Sequence, residues 1–202
     1  MNQTKQAFHQ NDRNRIEVFD FSSDVVVYDL ERDAVLTDSL LMKQTAFETF
    51  PTFSPDGKKL YFCSAEAKTL PYEFDQVKYS LCSIDFDAES RSFGTQVDTL
   101  YNGRLKNKSV SFPRVSPDGR FLVFTLSSYG NFSIWHKDAD LMMVDLKTGQ
   151  VSELEGVNSN DVESYHSWSS NGHWLVFSSR RVDGLYTHPY LCLLYTSPSP
   201  RD

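Results

Sequence analysis

The most strongly apolar stretches of the chain are short and nearly unbroken: Leu60-Tyr61-Phe62-Cys63 and Phe121-Leu122-Val123-Phe124. Runs of this kind, bounded by turn residues, predict strands covered on both faces. Lys78 to Asp85 alternates apolar and polar positions, and Phe93 to Leu100 follows after a polar break, which predicts two further strands. Asp140 to Leu146 and Val151 to Leu154 repeat that arrangement around Lys147-Thr148-Gly149-Gln150, a turn with its glycine in the left-handed position. Nearer the start, Asp24 to Leu30 and Ala34 to Thr37 predict a strand pair joined by Glu31-Arg32-Asp33. Residues 1–23 are polar and patternless apart from Ile16, Val18 and Phe19, and read as a tail entering a strand.

The stretch Phe50-Pro51-Thr52-Phe53-Ser54-Pro55-Asp56-Gly57 returns as Phe112-Pro113-Arg114-Val115-Ser116-Pro117-Asp118-Gly119. A worn third copy reads Tyr165-His166-Ser167-Trp168-Ser169-Ser170-Asn171-Gly172. The Asp-Gly and Asn-Gly pairs start at 56, 118 and 171, periods of 62 and 53 residues that suit stacked units or blades. Proline presets the backbone of a tight turn, the aspartate accepts from nearby amides, and the glycine supplies positive φ. Asp56 and Asp118 have the chemistry of a catalytic carboxylate or metal ligand. Their return in successive units instead assigns Asp56, Gly57, Asp118, Gly119, Asn171 and Gly172 to turn structure. Ser170 and Asn171 replace proline and aspartate, which predicts a weaker third turn.

These repeats resemble those of TolB-like β-propellers, relatives of the WD repeat. The resemblance implies that each copy forms the first two strands of a four-stranded blade, and that a closed ring has six blades. The expected fold is therefore all-β: a partial β-propeller of four-stranded antiparallel blades, two complete (about 50–101 and 111–155) and two incomplete. A six-bladed ring at this period needs more than about 300 residues, so the 202 present read as a fragment. The predicted division is a polar segment over 1–23, the propeller over 24–190 and a tail over 191–202. The tail resembles translated sequencing-adapter read-through; its proline and serine content equally suits a natural disordered end.

A formal charge of −7 argues against general nucleic-acid binding, which needs a basic footprint. Cys63, Cys82 and Cys192 show no C-x-x-C spacing and no histidine at metal-ligand distance, so no cofactor and no metal are expected. Cys63 and Cys82 lie in apolar runs and read as buried free thiols or, alternatively, as a disulfide between neighbouring strands. No stretch approaches the roughly 18 apolar residues of a membrane span. Met1 to Asn14 lacks the character of a signal peptide, whereas the resemblance implies an exported protein of the periplasm or cell envelope.

Chemistry beyond the turns concentrates in the long connections. Glu66 to Gln76 carries Pro71, Tyr72 and Phe74, and Ser127 to Asp138 carries Tyr129, Phe132, Trp135 and His136. Those four either line a recognition surface at the ring's mouth or pack beneath their own loop. Arg180 and Arg181 read either as an anion clamp or as partners of acidic loops. His166 pairs with His136 as a candidate metal couple whose separation the sequence leaves open. Asp85, Asp87 and Glu89 lack the glycine and span of a calcium loop and read as a solvated turn. No G-x-S-x-G, H-E-x-x-H, S-x-x-K or phosphate-binding glycine loop is present.

The expected function is non-catalytic recognition of a protein or peptide, or of a glycan, through blade loops. The alternative is the propeller of a prolyl-oligopeptidase-like hydrolase or of a carbohydrate-active enzyme. A partial ring would also expose blade faces through which the chain self-associates.

Overall fold

The computed structural model describes residues 2–12 and 15–194. It opens on an antiparallel hairpin, β1 (Asn2–Asp12) and β2 (Arg15–Val25). The expected polar tail over 1–23 is thus corrected over its described residues, 2–12 and 15–23, which are strand. Its signal was hidden because β2 buries polar side chains, Glu17 and Asp20, beside Phe19. Val26 interrupts the chain before β3 (Val27–Asp29), which pairs with β4 (Ala34–Leu36) as a two-stranded sheet.

Two four-stranded antiparallel sheets follow. The first is β5 (Ala46–Phe53), β6 (Lys59–Glu66), β7 (Ser80–Asp87) and β8 (Ser92–Tyr101), paired in that order. The second is β9 (Ser109–Val115), β10 (Phe121–Ser127), β11 (Asp140–Asp145) and β12 (Val151–Glu153). The last sheet has three strands, β13 (Glu163–Trp168), β14 (Trp174–Ser179) and β15 (His188–Leu193). Pairing with β14 carries the strand to Leu193, three residues into the expected tail, because Leu191 and Cys192 oppose Val176 and Leu175. The remainder of that tail, 195–202, lies outside the described residues.

The unbroken apolar runs are explained by their two faces. Leu60 and Phe62 of β6 pack with Val25 and Leu41 on one side. Tyr61 and Cys63, pointing the other way, pack against Leu122 and Phe124 of the next sheet. Val123, between those two, joins Leu175 and Phe177 of the last sheet. Each four-stranded sheet is therefore a layer between layers, and each such side chain contributes about 1.5–3 kcal/mol by leaving water. The same alternation settles the cysteines: Cys63 and Cys82 belong to opposite faces and are free, so the disulfide reading is excluded.

The repeated turns share one set of bonds. Ser54 donates its hydroxyl to Asp56 (2.6 Å) and accepts from the Lys59 amide (3.0 Å), while Asp56 accepts from the Lys58 amide (3.1 Å). Ser116 and Asp118 reproduce this with Arg120 and Phe121. Ser169 and Asn171 reproduce it again with His173 and Trp174, so the asparagine copy keeps its full complement. Successive turns also touch: Pro55 lies against Gly119, and Pro117 against Gly172.

Candidate functional site

Just before each turn the first strand of the sheet carries a bulge. Phe50 and Pro51 together oppose Phe62, Phe112 and Pro113 oppose Phe124, and Tyr165 and His166 oppose Phe177. Proline suits a place where the hydrogen-bond ladder is broken. Phe50, Phe112 and Tyr165 all take positive φ, 51°, 52° and 47°. That twist brings their rings together, with Phe50 and Phe112 centroids 4.3 Å apart and Phe112 and Tyr165 4.9 Å apart.

Antiparallel alternation sends the tight turns to one rim and the long connections β6–β7, β10–β11 and β14–β15 to the other. The turn rim is charged: Asp56, Lys58, Asp118, Arg120 and Lys147 border a cleft of about 550 Å³. The insert rim is aromatic and interlocked. Phe132 lies 6.2 Å from Phe50 and 6.3 Å from Phe112, extending the row of rings. Tyr129 packs on His136 (4.4 Å) and on Phe74 of the preceding insert (5.6 Å). Its hydroxyl donates to Glu17 Oε1 at 2.8 Å, and His136 Nε2 lies 3.4 Å from Glu17 Oε2. Asn131 Nδ2 donates to Asp20 at 2.6 Å. The hairpin strand β2 is thus fastened to the β10–β11 insert by two buried carboxylates.

The residues expected to form the site therefore divide. Phe132, Tyr129 and His136 mainly build the rim: they pack on the ring row and on β2. Trp135 remains 39% exposed, with the Arg180 guanidinium 4.5 Å from its ring. Arg181, half-buried, donates to Glu163 Oε1 (3.0 Å) and the Val157 carbonyl, and stacks on Tyr190. Glu163 also accepts from Ser159 and Ser179 hydroxyls at 2.5 and 2.7 Å. His166 Nε2 reaches the Val123 carbonyl at 2.9 Å, and burial pulls its pKa down to about 4, so the ring is neutral. Among the described residues no group of three His, Cys, Asp or Glu side chains converges.

Three participants escaped the sequence reading. Glu17 and Asp20 sit in a stretch without hydrophobic periodicity, and Tyr165, 43% exposed, was visible only as a variant of Phe50 and Phe112. Leu185 and Tyr186, 70% and 69% exposed, add apolar surface on the β14–β15 insert. Asp85 lies within β7 and pairs with Lys59 (2.6 Å), and Asp87 at the end of that strand accepts from the Glu89 and Ser90 amides.

No protein-family model and no curated protein matches the chain by sequence. Among solved structures it aligns with TolB from Acinetobacter baumannii over 92% of its length, with TM-score 0.57 and 18% identity. The fold is that of a TolB-like β-propeller. A puromycin-hydrolyzing peptidase from Mycobacterium tuberculosis aligns over 96% of the chain with TM-score 0.55 and 12% identity. The chain spans 39% of the length of that TolB and 29% of that peptidase. The four sheets from β3 to β15 are accordingly blades, whole or partial, and β5, β9 and β13 are the innermost strands of the last three. The row Phe50, Phe112, Tyr165 then runs around the inner wall. No described helix is long and apolar enough to cross a membrane.

Proposed function

We propose that this propeller is a non-catalytic recognition module that binds a protein or peptide at its insert rim, in the cell envelope. One observation carries the reading: the exposed large side chains Trp135, Tyr165, Leu185 and Tyr186 belong to the inserts and inner wall of the third and fourth blades, held on rigid sheets. Aromatic anchors on a preorganised frame bury area at low entropic cost, which is how binding loops gain affinity. The opposite rim is charged and made of short turns repeated from blade to blade, whereas the inserts differ in length and content. The cell-envelope assignment rests on resemblance to TolB.

The test is a photo-crosslinking amino acid placed at Tyr186 and, as control, at Lys147 on the turn rim. A discrete adduct formed from Tyr186 and lost on Trp135→Ala supports the reading. Equal labelling from both rims, or none from either, overturns it. A second reading follows from the alignment with the peptidase: the blades serve a hydrolase whose catalytic groups lie elsewhere. Aminoacyl-amide hydrolysis by protein expressed from the complete gene would favour it.

A further inference from the structure

Arg180 and Arg181 are neighbours in sequence with opposite fates. Arg181 is neutralised by Glu163 inside the blade. Arg180 is only 7% exposed, yet it enters none of the ion pairs found among the described residues. Its guanidinium lies over Trp135 and donates to two carbonyls, Ile134 at 3.4 Å and Gly184, while Nε has no acceptor. The charge of Asp183 is felt there, but that carboxylate accepts from the Leu185 and Tyr186 amides at 2.8 and 2.9 Å. A cation taken from water and given two carbonyls, one aromatic face and no carboxylate in direct contact is costly until an anion completes its shell.

Its position indicates which anion. Ile134 belongs to the third blade's insert and Gly184 to the fourth's, so Arg180 sits on the seam between them. Trp135 flanks it on one side, and Val182, Leu185 and Tyr186 lie on the other insert, all exposed. In a chain of net charge −7, one uncompensated cation between two apolar patches selects for charge more than it adds bulk attraction. We propose that Arg180 receives an acidic side chain of an extended partner segment whose flanking apolar residues seat on Trp135 and on Leu185 and Tyr186. This rests on the peptide-recognition reading above and names the chemistry of the partner. A planar guanidinium fork suits a carboxylate, and lysine does not reproduce it.

The experiment selects binders for the full chain from a displayed library of random extended peptides. Selected sequences should centre on Asp or Glu between apolar residues. Replacing that acid by its amide should weaken binding about tenfold or more. Arg180→Gln should abolish the acidic preference while apolar binders persist, and Arg180→Lys, which keeps the charge, should lose most of it. Apolar binders without acidic preference on the native chain overturn this assignment and leave the recognition module standing. Failure to select any peptide overturns both. The preference shown by the native chain decides the matter even if an Arg180 variant folds poorly.

Discussion

Phe50 and Phe112, 62 positions apart, place their rings 4.3 Å apart from backbones with nearly equal positive φ, 51° and 52°. Tyr165 repeats the geometry one blade further on, at φ 47°. A bulky residue pays conformational strain in this region, about 1–3 kcal/mol. The strain is offset by stacking in the inner-wall row.

That balance predicts an inverted substitution order at Phe112, which is buried. Phe112→Ala should destabilise by about 3–5 kcal/mol, as loss of a buried phenylalanine does. Phe112→Gly removes the same ring but relieves the positive φ, so it should cost no more than the alanine variant. Within a strand, glycine is ordinarily the worse of the two. Urea denaturation of both variants checks this, and a glycine variant clearly less stable than the alanine one would refute the offset.

Two glycines should respond differently to an added methyl group. Gly57 has φ +70° and open space around its missing Cβ, so Gly57→Ala should cost on the order of 1 kcal/mol through the backbone alone. Gly103 opens the single helical turn after β8, and a Cβ there would lie 2.1 Å from the Tyr79 carbonyl oxygen. Since backbone must move, Gly103→Ala should cost about 3 kcal/mol or more. Thermal melts of the two variants give the comparison directly.

The contrast between these glycines shows what the sequence could disclose. Gly57 belongs to a motif written three times, so its turn, its strands and the blade architecture were legible before any coordinates. Gly103 occurs once, and its constraint comes from Tyr79, a distant residue that immediately precedes β7. The site divides in the same way. Trp135 and Arg180 were suspect because aromatic and charged residues crowd their connections. Glu17 escaped because its partners, Tyr129 and His136, are more than one hundred residues away and nothing local marks a glutamate that will be buried. Likewise, only packing could assign Arg181 to the buried Glu163 and Arg180 to the seam.

The outer face of the fourth blade leaves Trp174 opposite Leu193 and Val176 opposite Leu191, all four exposed. On the third blade the corresponding face is covered by the next sheet. An uncovered apolar sheet face drives association. The 202-residue chain should elute with an apparent mass that rises with concentration, and Val176→Lys with Leu191→Lys should return it to a monomer. Identical, concentration-independent elution of both proteins would contradict this.

Two buried groups give the fold opposing responses to pH. Glu48 on β5 is fully buried beside Ser64, and burial raises its pKa from 4.5 to about 7. A raised carboxyl pKa means that the folded state holds the proton more tightly, so this contribution is complete below pH 4.5 and is lost as pH rises toward 7. His166 has the reverse sense: its pKa falls from 6.5 to about 4, so its contribution is complete above pH 6.5 and is lost as pH falls toward 4. Each amounts to roughly 3 kcal/mol across its window. Between pH 4.5 and 6.5 the two slopes nearly cancel in the native chain. Glu48→Gln should therefore melt at falling temperature as the medium is acidified through that interval, and His166→Gln, whose amide can still donate to the Val123 carbonyl, should melt at falling temperature as it is made more basic. Parallel pH profiles for the two variants would show that neither group titrates as its burial requires.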